Sequence, residues 1–67
     1  MEITVNGKNR EYESPITVDE LVGAEVEDDL DQLAVAVNSD VVPREEWPGV
    51  KLEAGDDVEI VRPLQGG

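Results

Sequence analysis

Cysteine, histidine and phenylalanine are all absent from this chain. Without cysteine there is neither a disulfide framework nor a thiolate metal site. Without histidine the usual general base and the commonest transition-metal ligand are missing. Serine occurs only at Ser14 and Ser39, with no imidazole to activate either. The chain therefore lacks the usual equipment of an autonomous nucleophilic or acid–base enzyme. No apolar run approaches membrane-spanning length and the charged N-terminus is not a signal peptide, so no membrane partner is expected and a cytoplasmic location follows by default. Positive charge is scarce as well. Lys8, Arg10, Arg44, Lys51 and Arg62 stand against 17 acidic residues, giving a net charge of −12. Such a surface repels phosphate backbones, which argues against nucleic acid. It favours encounter with a basic patch on another protein, and it is equally suited to solubility in a salty cytoplasm.

What is there amounts to one small α+β domain. Its 67 residues lie near the lower limit for a single hydrophobic core without staples. Glu2 to Asn6 alternates polar and apolar residues, with Ile3 and Val5 on one face of a half-buried strand. Asn6-Gly7 is a strong hairpin signal because both residues tolerate positive φ. The return strand is expected from Lys8 to Glu13, with Tyr12 inward and Arg10 on the same face, snorkelling its charge to water. Ser14-Pro15 ends it. Thr17 and Glu20 then form a capping box, Asp19 adds negative charge to the first turn, and Ile16 and Leu21 occupy the staple positions. Val18, Leu21 and Val22 are expected to line the buried face of a short helix that Gly23 weakens. Packing on a sheet must supply its stability.

Five acids among the seven residues Glu25 to Asp31 follow. Asp29-x-Asp31 partly fits a calcium loop, but the required glycine and the distal glutamate spacing are missing, so a solvated acidic connection is the better reading. Leu30 is expected to dip back towards the core. Leu33 to Asn38 is a near-continuous apolar run with the length and valine content of a central strand. Ala34 and Ala36 on its second face leave room for another backbone. Asn38-Ser39-Asp40 makes a turn, Val41-Val42 a short edge strand, and Pro43 is well placed to begin a helical turn through Gly49. After a turn at Glu53-Ala54-Gly55-Asp56, Asp57 to Pro63 forms the last strand, with Val58 and Ile60 inward. Pro63 cannot donate to a ladder, so pairing should end there. Residues 1–63 are thus one domain, and 64–67 a flexible projecting tail. If the last strand lies centrally beside the first, the arrangement is a ubiquitin-like β-grasp; periodicity alone supports only α+β.

The tail, Leu64-Gln65-Gly66-Gly67, is the most informative stretch. A terminal glycine offers the least hindered carboxylate a polypeptide has, and its neighbour lets the chain thread a narrow channel. With a reference pKa of roughly 3.3–3.7, an α-carboxylate is ionised at neutral pH. It can attack the α-phosphate of ATP held by a partner enzyme, giving an acyl-adenylate open to sulfur or amine attack. A two-residue motif also fits a frayed end, so on its own it decides little.

In combination the segments carry a resemblance. Val41-Val42-Pro43-Arg44-Glu45-Glu46-Trp47 resembles the VPR-x-x-W segment of the ThiS family, the sulfur carriers of thiamine biosynthesis. It follows an Ala-Val-Ala-Val-Asn strand similar to that family's. The Glu-Ile-Thr-Val-Asn-Gly opening, the Thr17-Val18-x-Glu20-Leu21 helix start, the Gly55-Asp56 turn and the Gly66-Gly67 end match in the same order. The resemblance covers essentially the whole chain and implies a β-grasp carrier rather than an enzyme. It implies that an E1-like adenylyltransferase of the ThiF type converts the Gly67 carboxylate to an acyl-adenylate. Sulfur from a donor such as a cysteine desulfurase then makes a thiocarboxylate, which a ThiG-type thiazole synthase consumes. Gly66 would supply steric access, and Leu64 and Gln65 the tail's binding register. This chain would bind no cofactor or metal itself; ATP and magnesium belong to the activating partner. The extreme acidity and Pro63 depart from the typical member. Three other roles stay open: a MoaD-like small subunit of molybdopterin synthase, a ubiquitin-like protein modifier, and an acidic binding module without tail chemistry. The VPR-x-x-W segment favours the thiamine branch. Trp47 reads better as a lid over the core than as a contact residue, and Arg44 as the partner of Glu45, Glu46 or a tail carboxylate. The apolar face around Ala34, Ala36 and Val61 is the better candidate for partner docking if it stays exposed beside the tail.

Overall fold

The chain starts with a hairpin that the Asn6-Gly7 pair closes. In a computed structural model, which describes residues 1–26 and 33–62, Asn6 has φ 53° and Gly7 φ 81°. Those left-handed values give the twist a two-residue hairpin needs. Strand β1 (Glu2–Val5) pairs antiparallel with β2 (Lys8–Glu11). The return strand is shorter than expected, yet pairing runs one residue further, since Tyr12 N–H donates to the Met1 carbonyl at 3.0 Å. Helix α1 (Val18–Glu25) starts at the expected capping box. Glu20 N–H donates to Thr17 Oγ1 at 3.2 Å, and Thr17 N–H to Glu20 Oε1 at 2.9 Å. Gly23 does not end the helix, which runs on until Val26 N–H reaches the Val22 carbonyl. Val18, Leu21 and Val22 are fully buried, and that packing outweighs the roughly 1 kcal/mol a helical glycine costs.

Beyond the undescribed segment 27–32, β3 (Ala34–Val37) and β4 (Asp40–Val42) form a second hairpin, with Asn38 and Ser39 at positive φ. A 3-10 helix (Arg44–Gly49) follows Pro43, and β5 (Asp57–Val61) closes the sheet. Gly55, at φ 89°, makes the turn into β5. The expected core contact of Leu30, the Asp29-x-Asp31 pair and the end of pairing at Pro63 lie outside the described residues.

Strand order is β2-β1-β5-β3-β4. The last strand takes the middle, parallel to β1 through Thr4↔Asp57 and Val5↔Val58, and antiparallel to β3. The apolar run expected to be central is therefore interior, paired on both edges, but one place off centre. The helix lies across one face. Between them sit Ile3, Val5, Val35 and Val58 from the sheet, Ile16, Val18, Leu21 and Val22 from the helix side, and Leu33, Trp47 and Leu52. Both staple residues, Ile16 and Leu21, are buried. Ile60 points inward as expected and is half-buried.

Candidate functional site

Cross-strand partners share a face of a sheet, so the register determines what lies opposite the helix. Ala34 faces Val61, and Ala36 sits between Glu59 and Val41. The inner partners are Val35 with Ile60 and Val42, and Val37 with Val58. Ala34, Ala36 and Val61, expected to form a docking face, therefore come together on the uncovered side of β3 and β5. Val61 is 53% and Val41 75% exposed, the large hydrophobics that stand out in water among the described residues. Val41 was not expected there. Its signal was the period of two within Val41-Val42: Val42 faces the core side, so its neighbour must face out.

The other half of this outer face is acidic. Glu2 and Glu11 are direct partners across β1 and β2, and Asp57 and Glu59 precede Val61 on the outer face of β5, alternating with the inward Val58 and Ile60. Some of this charge is satisfied locally. Thr4 Oγ1 donates to Asp57 at 2.7 Å, and the Met1 ammonium lies 3.6 Å from Glu11. The result is a small apolar patch bordered by carboxylates at the end of the sheet where β5 finishes. From Val61 the sequence continues through Arg62 to Pro63 and the tail. Leu64, Gln65, Gly66 and Gly67 lie outside the described residues.

Trp47 is a core residue, as expected. It is 1% exposed, and its Nε1–H donates to the Val42 carbonyl at 3.0 Å, fastening the 3-10 helix to β4. The Arg44 guanidinium lies over the Trp47 ring, 5.2 Å from its centroid, a contact worth about 0.5–1 kcal/mol at exposed sites. Arg10 does not simply reach water: its Nε lies 3.4 Å from Glu25 Oε1, and the Tyr12 hydroxyl donates to the same carboxylate. Burial first, then the hydrogen bond and the negative charge of Glu25, push the Tyr12 hydroxyl up to about 12, against the pull of Arg10. This triad ties the first hairpin to the end of α1. Among the described residues no group of acidic side chains is arranged to hold a metal ion, and no helix is long and apolar enough to cross a membrane.

A mixed sheet whose last strand runs parallel to the first at its centre, with one helix laid across it, defines a β-grasp protein of the ubiquitin-like class. The ThiS family model matches residues 3–67, and the chain belongs to that family. The crystal structure of the thiamine biosynthesis protein ThiS from Geobacter metallireducens is 30% identical, with a TM-score of 0.85 over 100% of both chains. A solution structure of a thiamine biosynthesis protein from the same organism gives 0.81 at 30% identity, covering 100% of this chain and 88% of that one. A thiazole synthase from Paramagnetospirillum magneticum is 34% identical over all 67 residues, a stretch that is 20% of that protein. The chain thus spans about a fifth of the length of the curated relative it matches.

Proposed function

We propose that this chain is a sulfur carrier of thiamine biosynthesis and that Gly67 is the carrying residue. The observation that supports this most is that the ThiS family match runs over residues 3–67, diglycine included. The ionised Gly67 carboxylate attacks the α-phosphate of ATP on an E1-like adenylyltransferase, and pyrophosphate leaves. Hydrosulfide then attacks the acyl carbon and AMP leaves, so that sulfur replaces one carboxylate oxygen. A persulfide donor gives an acyl disulfide instead; a second thiol from the donor side attacks the donor's sulfur, forming a disulfide there and releasing the thiocarboxylate. Gly66 gives the narrow profile the tail needs in that active site, while Leu64 and Gln65 set its register. A thiazole synthase takes the sulfur; a relative bearing that name, with a 34% identical segment of this length, supports such a partner. The partner brings ATP and magnesium, and a desulfurase is the kind of donor that brings sulfur. The patch of Ala34, Ala36, Val41 and Val61 is the proposed docking face, apolar at its centre and able to meet basic residues at its acidic border.

The test is intact-mass analysis after incubation with the activating enzyme, ATP and sulfide. One oxygen replaced by sulfur is expected, mapping to Gly67; with no cysteine in the chain, a competing thiol adduct cannot arise. Gly66 replaced by a bulky residue should block the change without unfolding the domain, and Val61→Asp should weaken activation through the docking face. A mass shift that maps elsewhere, or that survives deletion of Gly67, overturns the carrier mechanism. Transfer from the thiocarboxylate to a pterin acceptor alone would move the chain to the molybdopterin branch.

A further inference from the structure

Asn6 does more than turn the first hairpin. Strand β1 ends at Val5, and Asn6 N–H makes the last ladder bond to β5, reaching the Val58 carbonyl at 2.9 Å. At Gly7 the backbone turns away. The next β5 residue on that side, Ile60, would lose its partner there, but the Asn6 side chain takes over. Asn6 Oδ1 accepts from Ile60 N–H at 2.8 Å, and Asn6 Nδ2 donates to the Ile60 carbonyl at 3.2 Å. A primary amide carries one acceptor and a donor group in one plane, so it stands in for the peptide unit that the turn has removed. On its other side this stretch of β5 is in register with β3, Ile60 opposite Val35 and Val61 opposite Ala34. The end of β5 is thereby gripped from both edges, three residues before Pro63 and seven before Gly67.

We infer that Asn6 is a positioning residue for activation of the C-terminus: its amide fixes the direction in which the chain leaves β5. This rests on the reading of Gly67 as the adenylated group. Turn chemistry alone does not select asparagine, since glycine or aspartate also accepts the φ of 53° that position requires. Of these residues only asparagine both donates to and accepts from Ile60. A terminus that must reach an ATP phosphate is sensitive to its root, because a misplacement of about 1 Å can cost a factor of about 10² in rate.

The fold contains its own control. Asn38, at φ 51° in the second hairpin, grips the opposite end of β5. Its N–H donates to the Asp57 carbonyl at 2.7 Å, its Oδ1 accepts from Asp57 N–H at 3.0 Å, and its Nδ2 donates to Asp56 at 3.0 Å. Asn6→Gly and Asn38→Gly each keep the turn and delete one grip, but only the first lies next to the exit of the tail.

The experiment compares the full-length chain and both variants, each verified as folded by circular dichroism, in pyrophosphate release with the activating enzyme and ATP. Asn6→Gly should lower kcat about tenfold with KM for the carrier near its wild-type value, because the docking face is untouched and only alignment suffers. Asn38→Gly should stay within about twofold in both. Amide exchange by NMR, with no enzyme present, should show Ile60 exchanging faster and Arg62 less ordered in Asn6→Gly but not in Asn38→Gly. Wild-type turnover by Asn6→Gly, equal losses in the two variants, or an unchanged Ile60 amide would overturn the inference while leaving sulfur carriage standing. A wild-type chain that releases no pyrophosphate would overturn the sulfur-carrier reading, and the activation role of Asn6 with it.

Discussion

Trp47 is the one aromatic side chain in a core otherwise assembled from valine, leucine and isoleucine. In so small a domain its removal leaves a void that nothing else can fill. Trp47→Ala should cost about 3–5 kcal/mol, a large share of the roughly 5–15 kcal/mol that stabilises a typical domain. Trp47→Phe should cost less, because most of the ring packing is kept even though the bond to Val42 is lost. Urea unfolding followed by circular dichroism will rank the two; equal losses would mean that the hydrogen bond, not the volume, carries the site. Tyr12 gives a pH signature. Its hydroxyl is pushed up to about 12 in the fold against an ordinary value of 10.0, so the unfolded chain gives up the proton first. Stability from this group is whole below pH 10 and declines as pH climbs towards 12. Tyr12→Phe should flatten that decline in alkaline melts; an unchanged slope would assign it to other groups. Trp47 as a core lid was legible from its size alone. The Tyr12–Glu25–Arg10 triad was not, because it joins residues that approach only when the helix packs against the hairpin.

At the scale of elements, two glycines separate local preference from packing. Gly23 lies in the helix, and a Cβ built there meets nothing within 4 Å. Gly23→Ala should therefore stabilise the domain by about 0.5–1 kcal/mol, by raising helix propensity and reducing the freedom of the unfolded chain. Gly55 has equally open surroundings but a φ of 89°, so Gly55→Ala should destabilise by about 1 kcal/mol or more through backbone strain. Thermal melts of the pair test whether backbone conformation, rather than space, sets the sign. The capping box of Thr17 and Glu20, the Asn6-Gly7 turn and the proline start of the 3-10 helix were all readable, since each is settled within about four residues. A short helix weakened but not ended by Gly23 was readable too; what the sequence could not show is how completely Leu21 and Val22 are buried against the sheet, which offsets the local penalty.

For the molecule as a whole, charge is the controlling variable. Seventeen acids and five bases on one small domain repel one another across distances comparable with the Debye length, about 8 Å at physiological ionic strength. Added salt at neutral pH should raise the melting temperature; a flat or falling trend from low to moderate salt would place the repulsion elsewhere or show it already compensated. The same field should make association with a basic partner fast at low salt and slower as salt rises. The apolar patch shared by β3, β4 and β5 should act differently, on the lifetime of the complex rather than its formation.

What is settled nearby along the chain can be read from its residues: the turns, the helix start, the in–out alternation of the strands, the acidity and the absence of cysteine and histidine. The sequence also placed Ala34, Ala36 and Val61 as a potential contact face, because a period of two assigns faces without knowledge of neighbours. Only the tertiary structure put β5 between β1 and β3, brought Val41 beside that face, and laid the Asn6 amide on Ile60, 54 residues away in sequence. Capping and turn bonds form within a few residues, whereas strand order and register depend on which distant segments bury the most apolar surface together.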